Sequence, residues 1–566
     1  MLPDAAGSPV VHAGPVPSLA DRLRTRRGVA LVLILVGVAA ALIHLPVLWH
    51  DLVWDDNLLV AADRLPPRND PLAAFSCRTV PADTAAGVTL DGYSPLATLS
   101  LWFDLHLGAG RPWFFHFTNL VLVCAGAILV ALVAWELVHS GIWAGLAGLM
   151  FAAHSSRVES VALVSARPHL LLGLFLGLAA FGLLRSVRKR NPAWWPLVVV
   201  GFVLALLSSE DARLFPLLVV LTPALTQTRF SRWFWLPVLA CITAAWLLPA
   251  PWTQPARAAR PSEFLAAVNT FGLYLKLFVW PFDHRLWFPR DPLFSGLTPN
   301  LLYAIIFLFS VPLLALRRRY RLVLWGFVWT ILSSLPLVIS LPPGIQASER
   351  MLLLPSIGLI LIVVIALSRL VAGQERLRQL TAIGLGAFII FNATDSLARS
   401  RVWRNDRTLF STMVRESPRA PVAWAGLARA IAPADPDSAI ALYNRAVLLD
   451  QGFVRAHVEV GRLYGLIGDT RRAVHHLRLA EQLHPDSPTI LGDLSLAWLA
   501  AGQTDSALAK AELALRYGPA LPDSAFAAMV CARALALDPA CVPALFHRSL
   551  LLLHRGDTTQ ARTLIR

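Results

Sequence analysis

The chain has 566 residues, of which 56% are hydrophobic and 15% are charged, and its mean hydropathy is +0.59. This composition is typical of an integral membrane protein with room for a second domain. The net charge of +15 comes almost entirely from arginine, and no basic-aromatic pattern accompanies it, so we expect no nucleic-acid partner. The five cysteines lack the spacing of metal ligands and provide no disulfide framework.

The first membrane-length apolar run organises the amino-terminal region. Residues 1–27 form a predicted cytoplasmic tail, and four of its last six positions are arginines. Residues 28–48 match the roughly 20 apolar residues that a transmembrane helix needs. No small-residue cleavage site follows, so we expect an uncleaved anchor rather than a signal peptide. Asp55 and Asp56 come shortly after this run, beside Trp54. They are placed for general-base chemistry on a lipid-anchored substrate, although acids are also common in ordinary polar loops.

Ten further apolar runs predict an eleven-span bundle. They lie near residues 113–138, 141–155, 168–185, 194–209, 213–227, 232–250, 297–315, 321–341, 350–371 and 377–393. With the amino terminus inside, this count places every basic cluster next to a run on the cytoplasmic side. The first loop at 51–111 and everything after the last run then lie outside. Two of the runs are short for a membrane span, so the predicted number of spans has a margin of one or two.

The apolar stretch 262–280 needs a separate interpretation. It contains Glu263, Asn269 and Lys276, and a span here would invert the topology of all later runs. We therefore predict an interfacial amphipathic helix on the outer face.

The predicted topology gathers acids, arginines and histidines on the outer face. Charges near membrane spans are costly and are usually functional. Besides Asp55 and Asp56, the candidate site residues are His154, Glu159, Arg167, Glu210, Lys276, Glu349 and Arg350. This mixture suits a carboxylate that accepts a proton while cations hold a phosphate leaving group, and it contains no metal-ligand triad. Alternatively, Arg167 and Arg350 pair with Glu159 and Glu349. For individual residues outside the Asp pair, a structural role is slightly favoured over a functional one.

Repeats with a period of 34 residues follow the last apolar run. Residues at this spacing are Ala439, Ala473 and Ala507, then Gly468 and Gly502, then Pro485 and Pro519. Small residues let paired helices approach closely and proline ends the second helix, so the pattern predicts tetratricopeptide repeats. The period slips after Pro519, which predicts about three repeats and a degenerate region. We expect residues 28–395 to form the membrane domain, and residues 396–566 to form an α-solenoid that binds a protein or peptide.

A series of short motifs, in order over about residues 45 to 515, resembles the transmembrane, tetratricopeptide-containing O-mannosyltransferases. The motifs are Trp54-Asp55-Asp56, Tyr93-Ser94-Pro95-Leu96, Phe115-His116-Phe117-Thr118-Asn119, Phe151-Ala152-Ala153-His154 with Glu159, Leu206-Leu207-Ser208-Ser209-Glu210, Tyr274-Leu275-Lys276-Leu277, Ser348-Glu349-Arg350 and Trp403-Arg404-Asn405-Asp406. The resemblance implies an all-α, GT-C-type membrane bundle followed by the repeat solenoid. It further implies transfer of a mannose-like hexose, with inversion, from a polyprenyl phosphate to protein Ser/Thr hydroxyls.

The resemblance also implies roles for individual residues. The family's catalytic acid in the first outer loop corresponds to Asp55 or Asp56, and its histidine–glutamate segment corresponds to His154 and Glu159. Its glutamate–arginine pair corresponds to Glu349 and Arg350.

Two positions depart from the family pattern. Ser155 replaces a proline, and Ser209 replaces the lysine before Glu210, which removes a phosphate contact.

The partners expected from the resemblance are the polyprenyl-phosphate-linked sugar, an acceptor protein held by the repeats, and the lipid bilayer. No cofactor is required by the residues, and a divalent metal remains open. The arginine-rich, lysine-poor composition predicts a bacterial inner-membrane protein with a periplasmic carboxy-terminal domain. Two alternatives stay open: the same fold acting on a glycan or lipid acceptor, and a non-enzymatic scaffold whose repeats bind partners.

Overall fold

The computed structural model describes residues 26–60, 65–66, 69–75, 94–228, 235–247, 261–282, 284–289, 298–339 and 345–517, with a few separate positions after 517. Most of the predicted cytoplasmic tail, Tyr93, and the degenerate region after the third repeat therefore lie outside the described residues.

The membrane half is built from fifteen α-helices within the described residues. They are α1 Arg26–His44, α2 Asp56–Leu59, α3 Pro95–Leu107, α4 Pro112–Val138, α5 Gly141–Ala153, α6 Arg157–Ala162, α7 Arg167–Lys189, α8 Trp195–Leu206, α9 Phe215–Thr226, α10 Trp235–Leu247, α11 Pro261–Val279, α12 Pro299–Ala315, α13 Val323–Ile339, α14 Leu353–Leu370 and α15 Glu375–Ser400. Short 3₁₀ turns connect several of them, at Leu45–Trp49, Pro71–Phe75, Val164–Ala166, Pro192–Trp194, Glu210–Leu214, Arg318–Tyr320, Glu349–Leu352 and Arg401–Arg404.

Each of the eleven predicted apolar runs contains a helix. Five helical segments in the described residues are long and apolar enough to cross a membrane, namely Arg27–Trp49, Pro112–Val138, Val164–Lys189, Glu349–Leu370 and Glu375–Arg404. These segments are those of a polytopic membrane protein. The other six runs contain helices of 12 to 17 residues, so eleven spans remain a prediction.

Small residues bring the first helices of the bundle close together. A Cβ atom added to Gly148 on α5 would lie 2.7 Å from a Val36 side-chain carbon on α1 and 2.9 Å from the Ala127 carbonyl oxygen on α4. Only glycine fits between these backbones, a form of packing common among helices in membranes.

Charged side chains separate to opposite ends of the bundle. At one end Arg185 pairs with Glu136, and Arg319 donates to the Arg369 carbonyl. These arginines belong to clusters predicted to share the cytoplasmic side. At the other end, Arg350 contacts Glu159, and Asp56 contacts the backbone of Val164. Which end of the bundle faces the cytoplasm stays a prediction.

The stretch predicted as an interfacial helix forms α11, but it is packed inside the protein. Its described side chains are mostly buried, and Thr298 donates a hydrogen bond to Asn269. The polar residues that suggested a membrane surface are thus partly satisfied by protein contacts.

One small antiparallel ribbon interrupts the helical architecture. Strands β1 (Phe288–Pro289) and β2 (Ile345–Ala347) pair with Phe288 opposite Ala347. This ribbon is a departure from a strictly all-α fold, and it brings the segment at His284 next to the segment at Glu349.

The carboxy-terminal half is a row of helix pairs. Its helices are α16 Asp406–Glu416, α17 Pro421–Ile431, α18 Pro436–Leu449, α19 Val454–Leu466, α20 Thr470–Leu483, α21 Pro488–Ala500 and α22 Thr504–Tyr517. Ala439, Ala473 and Ala507 occupy equivalent, fully buried positions on the second helix of each pair. A Cβ atom on Gly461 would lie 2.6 Å from Leu477 across such a pair. The 34-residue pattern therefore corresponds to three helix pairs, as predicted.

Candidate active site

Asp56 is the more buried and the more completely hydrogen-bonded of the two adjacent acids. It begins α2 and is fully buried. Its two carboxylate oxygens accept hydrogen bonds from the backbone N–H groups of Val164 (2.9 Å) and Ser165 (2.7 Å). Burial raises the pKa of Asp56 to about 7, although the two N–H donors act in the opposite direction. Asp56 therefore anchors the first loop to the turn before α7.

Asp55 is half-buried and is surrounded by arginines from two halves of the molecule. Burial, the largest influence, raises its pKa above the ordinary value. The positive charges of Arg350, Arg455 and Arg429 lower that pKa, in that order. A carboxylate in such surroundings can accept a proton while remaining close to cations. Of the acid pair, Asp55 is the one that has this freedom.

Arg350 is held in place by Glu159. The Arg350 Nη1 donates to Glu159 Oε1 at 3.1 Å, and the Arg350 backbone N–H donates to Glu159 Oε2 at 3.1 Å. Ser348 donates its hydroxyl to the same carboxylate at 2.6 Å. The Arg350 side chain is 30% exposed, whereas that of Glu159 is 8% exposed. Glu159 therefore fixes the turn, and the partly exposed guanidinium of Arg350 contributes a positive charge to the surroundings of Asp55.

Arg167, a candidate site residue from the sequence, is bonded within the protein. It is fully buried and forms an ion pair with Asp104. Its remaining N–H groups donate to Asn119 Oδ1 at 2.9 Å, to the Phe115 carbonyl at 2.8 Å and to the Ser100 hydroxyl at 3.3 Å. All three nitrogens are engaged, so in this arrangement Arg167 holds α3, α4 and α7 together.

His154 is also fully engaged within the protein. Its Nε2 lies 3.2 Å from the Phe278 carbonyl oxygen, and its Nδ1 lies 2.9 Å from the Ser156 hydroxyl. The ring stacks on Phe278 at a centroid distance of 5.3 Å. Burial lowers the pKa of His154 to about 3, with Arg157 contributing in the same direction. The imidazole is therefore neutral and packs the loop after α5 against α11.

Glu349 belongs to a second, closed cluster. Arg399 Nη2 lies 2.9 Å from both Glu349 carboxylate oxygens, and His284 Nδ1 lies 2.9 Å from Oε1. His284 Nε2 in turn lies 2.5 Å from the hydroxyl of Ser155. The order serine, histidine, carboxylate is that of a hydrolase triad, but Ser155 is completely buried and no substrate can reach it. This cluster joins the loop after α5 to the 349 turn and α15.

Glu210 and Lys276 have no contact with Asp55, Glu159 or Arg350 among the hydrogen bonds and ion pairs given above. Glu210 begins a 3₁₀ turn, where Ser209 accepts a hydrogen bond from the Asp211 N–H. Burial, together with Glu210, raises the pKa of neighbouring Asp211 to about 6. Lys276 is half-buried on α11. The structure thus brings together Asp55, Glu159 and Arg350 from the predicted site, with Asp56 directly behind them.

Several residues at this site were not selected from the sequence. Asp406, Arg429 and Arg455, all from the carboxy-terminal half, lie around Asp55 or the residue before it. Asp406 belongs to the Trp403-Arg404-Asn405-Asp406 motif, which was the available signal. Arg429 and Arg455 belong to none of the motifs identified in the sequence. Within the described ranges, no group of three or more His, Cys, Asp or Glu residues is arranged to hold a metal ion.

Known proteins with partial similarity share one name. The chain is 31% identical to the Xenopus laevis protein O-mannosyl-transferase tmtc2 over 113 residues, covering 19% of this chain and 14% of that protein. It is 37% identical to Drosophila melanogaster Tmtc2 over 128 residues, covering 21% and 14%. Human protein O-mannosyl-transferase TMTC3 is 22% identical over 452 residues, covering 69% of this chain and 48% of its own length.

The other comparisons add less. No protein-family model matches the chain. The yeast Tom70 crystal structure aligns over 74% of this chain and 86% of its own with 11% identity, and the Cut9 and Hcn1 assembly aligns over 88% and 91% with 13% identity. Their TM-scores of 0.21 and 0.20 carry no argument about fold or function. The sequence matches cover less than half of each of the three relatives described above, and they support a relationship of this chain with the TMTC protein O-mannosyl-transferases.

Proposed function

We propose that this chain is a membrane glycosyltransferase that transfers a mannose-like hexose from a polyprenyl-phosphate-linked donor to Ser/Thr hydroxyls of exported proteins. The partial relatives named as protein O-mannosyl-transferases support the reaction class. The observation that carries the proposal is the difference in surroundings between the two adjacent acids. Asp56 is bound to two backbone N–H groups, whereas Asp55 lies half-buried near the exposed arginine Arg350.

The proposed chemistry uses one acid and one cation. The Asp55 carboxylate accepts the proton of the acceptor hydroxyl as the hydroxyl oxygen attacks the sugar C1. The bond from C1 to the phosphate oxygen breaks on the opposite side, its electron pair stays with the phosphate, and the configuration at C1 inverts. Arg350 stabilises the negative charge on the departing polyprenyl phosphate. Glu159 keeps the guanidinium in position during this step.

We assign supporting roles to the other residues that the sequence predicted to contact the substrate. Glu210 and Lys276 stay candidates for contact with the donor, at the start of a 3₁₀ turn and on α11. His154, Arg167 and Glu349 act on the site through the packing of its walls, since their polar atoms are already bonded within the protein.

The setting proposed for the reaction is a bacterial inner membrane. The amino terminus lies in the cytoplasm, and the Asp55 end of the bundle and the helix repeats face the periplasm. The clustering of Arg185, Arg319 and Arg369 at the opposite end supports this orientation, because arginine-rich ends of membrane helices stay in the cytoplasm. The repeats bind the acceptor protein, as helical solenoids commonly do.

Two conservative variants test the assignment of the base. In the purified chain with a polyprenyl-phosphate mannose and a Ser/Thr-rich acceptor peptide, Asp55→Asn is expected to lower kcat by about 10²- to 10⁴-fold, the usual contribution of a general base. Asp56→Asn keeps one amide oxygen for the N–H of Val164 or Ser165 and loses the other hydrogen bond, so it is expected to lower stability but to keep kcat within about tenfold of the original. Full activity of Asp55→Asn would refute the assignment.

Glycoproteomics of a deletion strain tests the acceptor. Loss of Ser/Thr-linked hexose from exported proteins, restored by the original gene but not by Asp55→Asn, is the expected result. Unchanged glycoproteins with an altered glycan or glycolipid would instead identify a glycan or lipid acceptor. Complete restoration by a variant lacking both Asp55 and Asp56 would identify a scaffold.

A further inference from the structure

Trp54, the residue immediately before Asp55, has an unusual backbone conformation. Its φ of +57° lies in the left-handed region, which residues other than glycine adopt rarely and which bulky side chains disfavour. Such a conformation persists only where the surrounding structure holds it.

Both sides of the Trp54 backbone are held by one ion pair from the carboxy-terminal half. The Trp54 N–H donates to Asp406 Oδ1 at 2.7 Å, and the Trp54 carbonyl accepts from Arg429 Nη2 at 3.1 Å. The same Arg429 nitrogen donates to Asp406 Oδ2 at 3.1 Å. Two side chains that bind each other therefore bind the N–H and the C=O of a single residue.

The Trp54 side chain packs against aromatic rings from both halves of the molecule. Its ring stacks on Trp287 at 6.4 Å between centroids and lies 5.6 Å from the Phe410 ring. The Arg429 guanidinium carbon is 5.7 Å from the centroid of that phenylalanine. Phe410 lies on α16 and Arg429 on α17, so the first two helices of the carboxy-terminal half surround the residue before Asp55.

We propose that Asp406 and Arg429 are positioning residues that hold Trp54 left-handed and thereby direct the Asp55 carboxylate toward Arg350. The helix-repeat half thus completes the catalytic site of the membrane half, in addition to binding the acceptor. This inference rests on the proposed function for its kinetic consequences. Its structural part, the fixing of the 50–60 loop by Arg429, stands on the contacts alone.

The carboxy-terminal half contains a matched ion pair for control. Arg462 Nε donates to Asp493 Oδ2 at 2.8 Å, between α19 and α21. This pair has a length similar to that of Arg429 with Asp406 and equally joins two helices of the repeat region. Its described hydrogen-bond partners are Asp493 and Glu459, both within the repeats. Arg462→Gln therefore removes a repeat ion pair without changing a contact of Trp54.

The pH dependence of activity separates positioning from general support. The charged groups that face Asp55 from the elements around it are Arg350, Arg455, Arg429, Asp406 and the adjacent Asp56. Burial and the negative charge of Asp406 raise the pKa of Asp55, whereas the positive charge of Arg429 lowers it. Removal of the Arg429 charge therefore raises this pKa further, so the Asp55 carboxylate keeps its proton to higher pH. The acid limb of the kcat/KM profile should then move to higher pH, a change that lost repeat stability alone would not produce.

The experiment compares Arg429→Gln, Arg429→Lys and Arg462→Gln in the full chain. Kinetics give kcat, the donor KM and the pH profile, and hydrogen–deuterium exchange follows the amides of residues 50–60. For Arg429→Gln we expect a kcat about 10- to 100-fold lower with a donor KM within about twofold, an upward shift of the acid limb, and faster exchange in that loop. Arg429→Lys, which keeps the charge and N–H donors, should restore most of the kcat. Arg462→Gln should leave all four quantities unchanged.

Every outcome decides the inference. A wild-type kcat and exchange pattern in Arg429→Gln overturns it, and so does an equal loss of kcat in Arg462→Gln, which would indicate general destabilisation. Should Arg429→Gln not fold, Asp406→Asn removes the same ion pair with a nearly isosteric side chain and replaces it in the kcat and exchange measurements. Because Asp406 raises the pKa of Asp55, the acid limb of this variant is expected to move to lower pH. Absence of sugar transfer by the unaltered chain refutes the proposed function, and loop exchange still decides whether Arg429 holds Trp54.

Discussion

Two groups of ionisable residues at the same end of the bundle differ in how completely they are bonded. In the closed group, Arg167, His154 and Glu349 have their polar atoms engaged inside the protein. In the open group, Asp55 is half-buried and Arg350 is 30% exposed. Buried charges must be paired, whereas a group that meets a substrate must keep bonding capacity in reserve. Charge near a membrane boundary therefore marks two kinds of residue, and only the second kind is available for chemistry.

Loss of a closed arginine should have the largest effect on stability. Arg167→Met leaves Asp104 buried without its cation and removes the donors to Asn119 and Phe115, so we expect about 3–5 kcal/mol of destabilisation. Arg350→Met is the control. Arg350 is 30% exposed, and Glu159 keeps its hydrogen bonds to the Ser348 hydroxyl and the N–H of residue 350, so we expect a stability loss of about 1 kcal/mol but loss of sugar transfer. Thermal unfolding in detergent, with the transfer assay, distinguishes the two. Equal unfolding temperatures for the two variants would contradict the division into closed and open groups.

The pair of Glu349 with Arg399 should give the next largest effect. Glu349→Gln removes the carboxylate bonded to the Arg399 guanidinium, whose side chain is 13% exposed, and we expect a loss of about 2–3 kcal/mol. Adding Arg399→Gln should cost less than the sum of the two single changes, because contacting residues are coupled. A double-mutant cycle measured by unfolding tests this. Strict additivity would show that the two side chains do not support each other.

Low pH should reduce the folding stability through protonation of His154, and we expect this effect to be the smallest of the three. The folded pKa of about 3 lies below the ordinary 6.5, so the unfolded chain binds a proton that the folded chain excludes. The His154 contribution to stability is complete above pH 6.5 and is lost as the pH falls toward 3. One unit below 6.5, the loss is about 1.4 kcal/mol. Unfolding of His154→Gln should depend on acid less steeply by that amount, and an identical dependence would contradict a buried neutral imidazole.

The positions of helices and of repeats were predictable because they depend on local or periodic patterns. Each apolar run contains a helix, since a segment rich in such residues must bury or shield its backbone. Ala439, Ala473 and Ala507 are buried at equivalent positions because the 34-residue period is the period of the packing itself. The stretch 262–280, predicted as an interfacial helix, is instead packed inside the protein. Its polar residue Asn269 accepts a hydrogen bond from Thr298, a contact that no local pattern in the sequence indicates.

The sequence by itself determined the membrane character of the chain, the helix repeats and the set of charged residues at one end of the bundle. Only the tertiary structure decided which of those residues are free. Asp55 and Asp56 are adjacent and chemically identical, yet one accepts two backbone hydrogen bonds from residues more than 100 positions away and the other faces Arg350 and Arg455. Arg455 and Arg429 reach the first loop from the repeats for the same reason. Hydrogen-bond saturation depends on partners distant in the chain, and no local pattern records them.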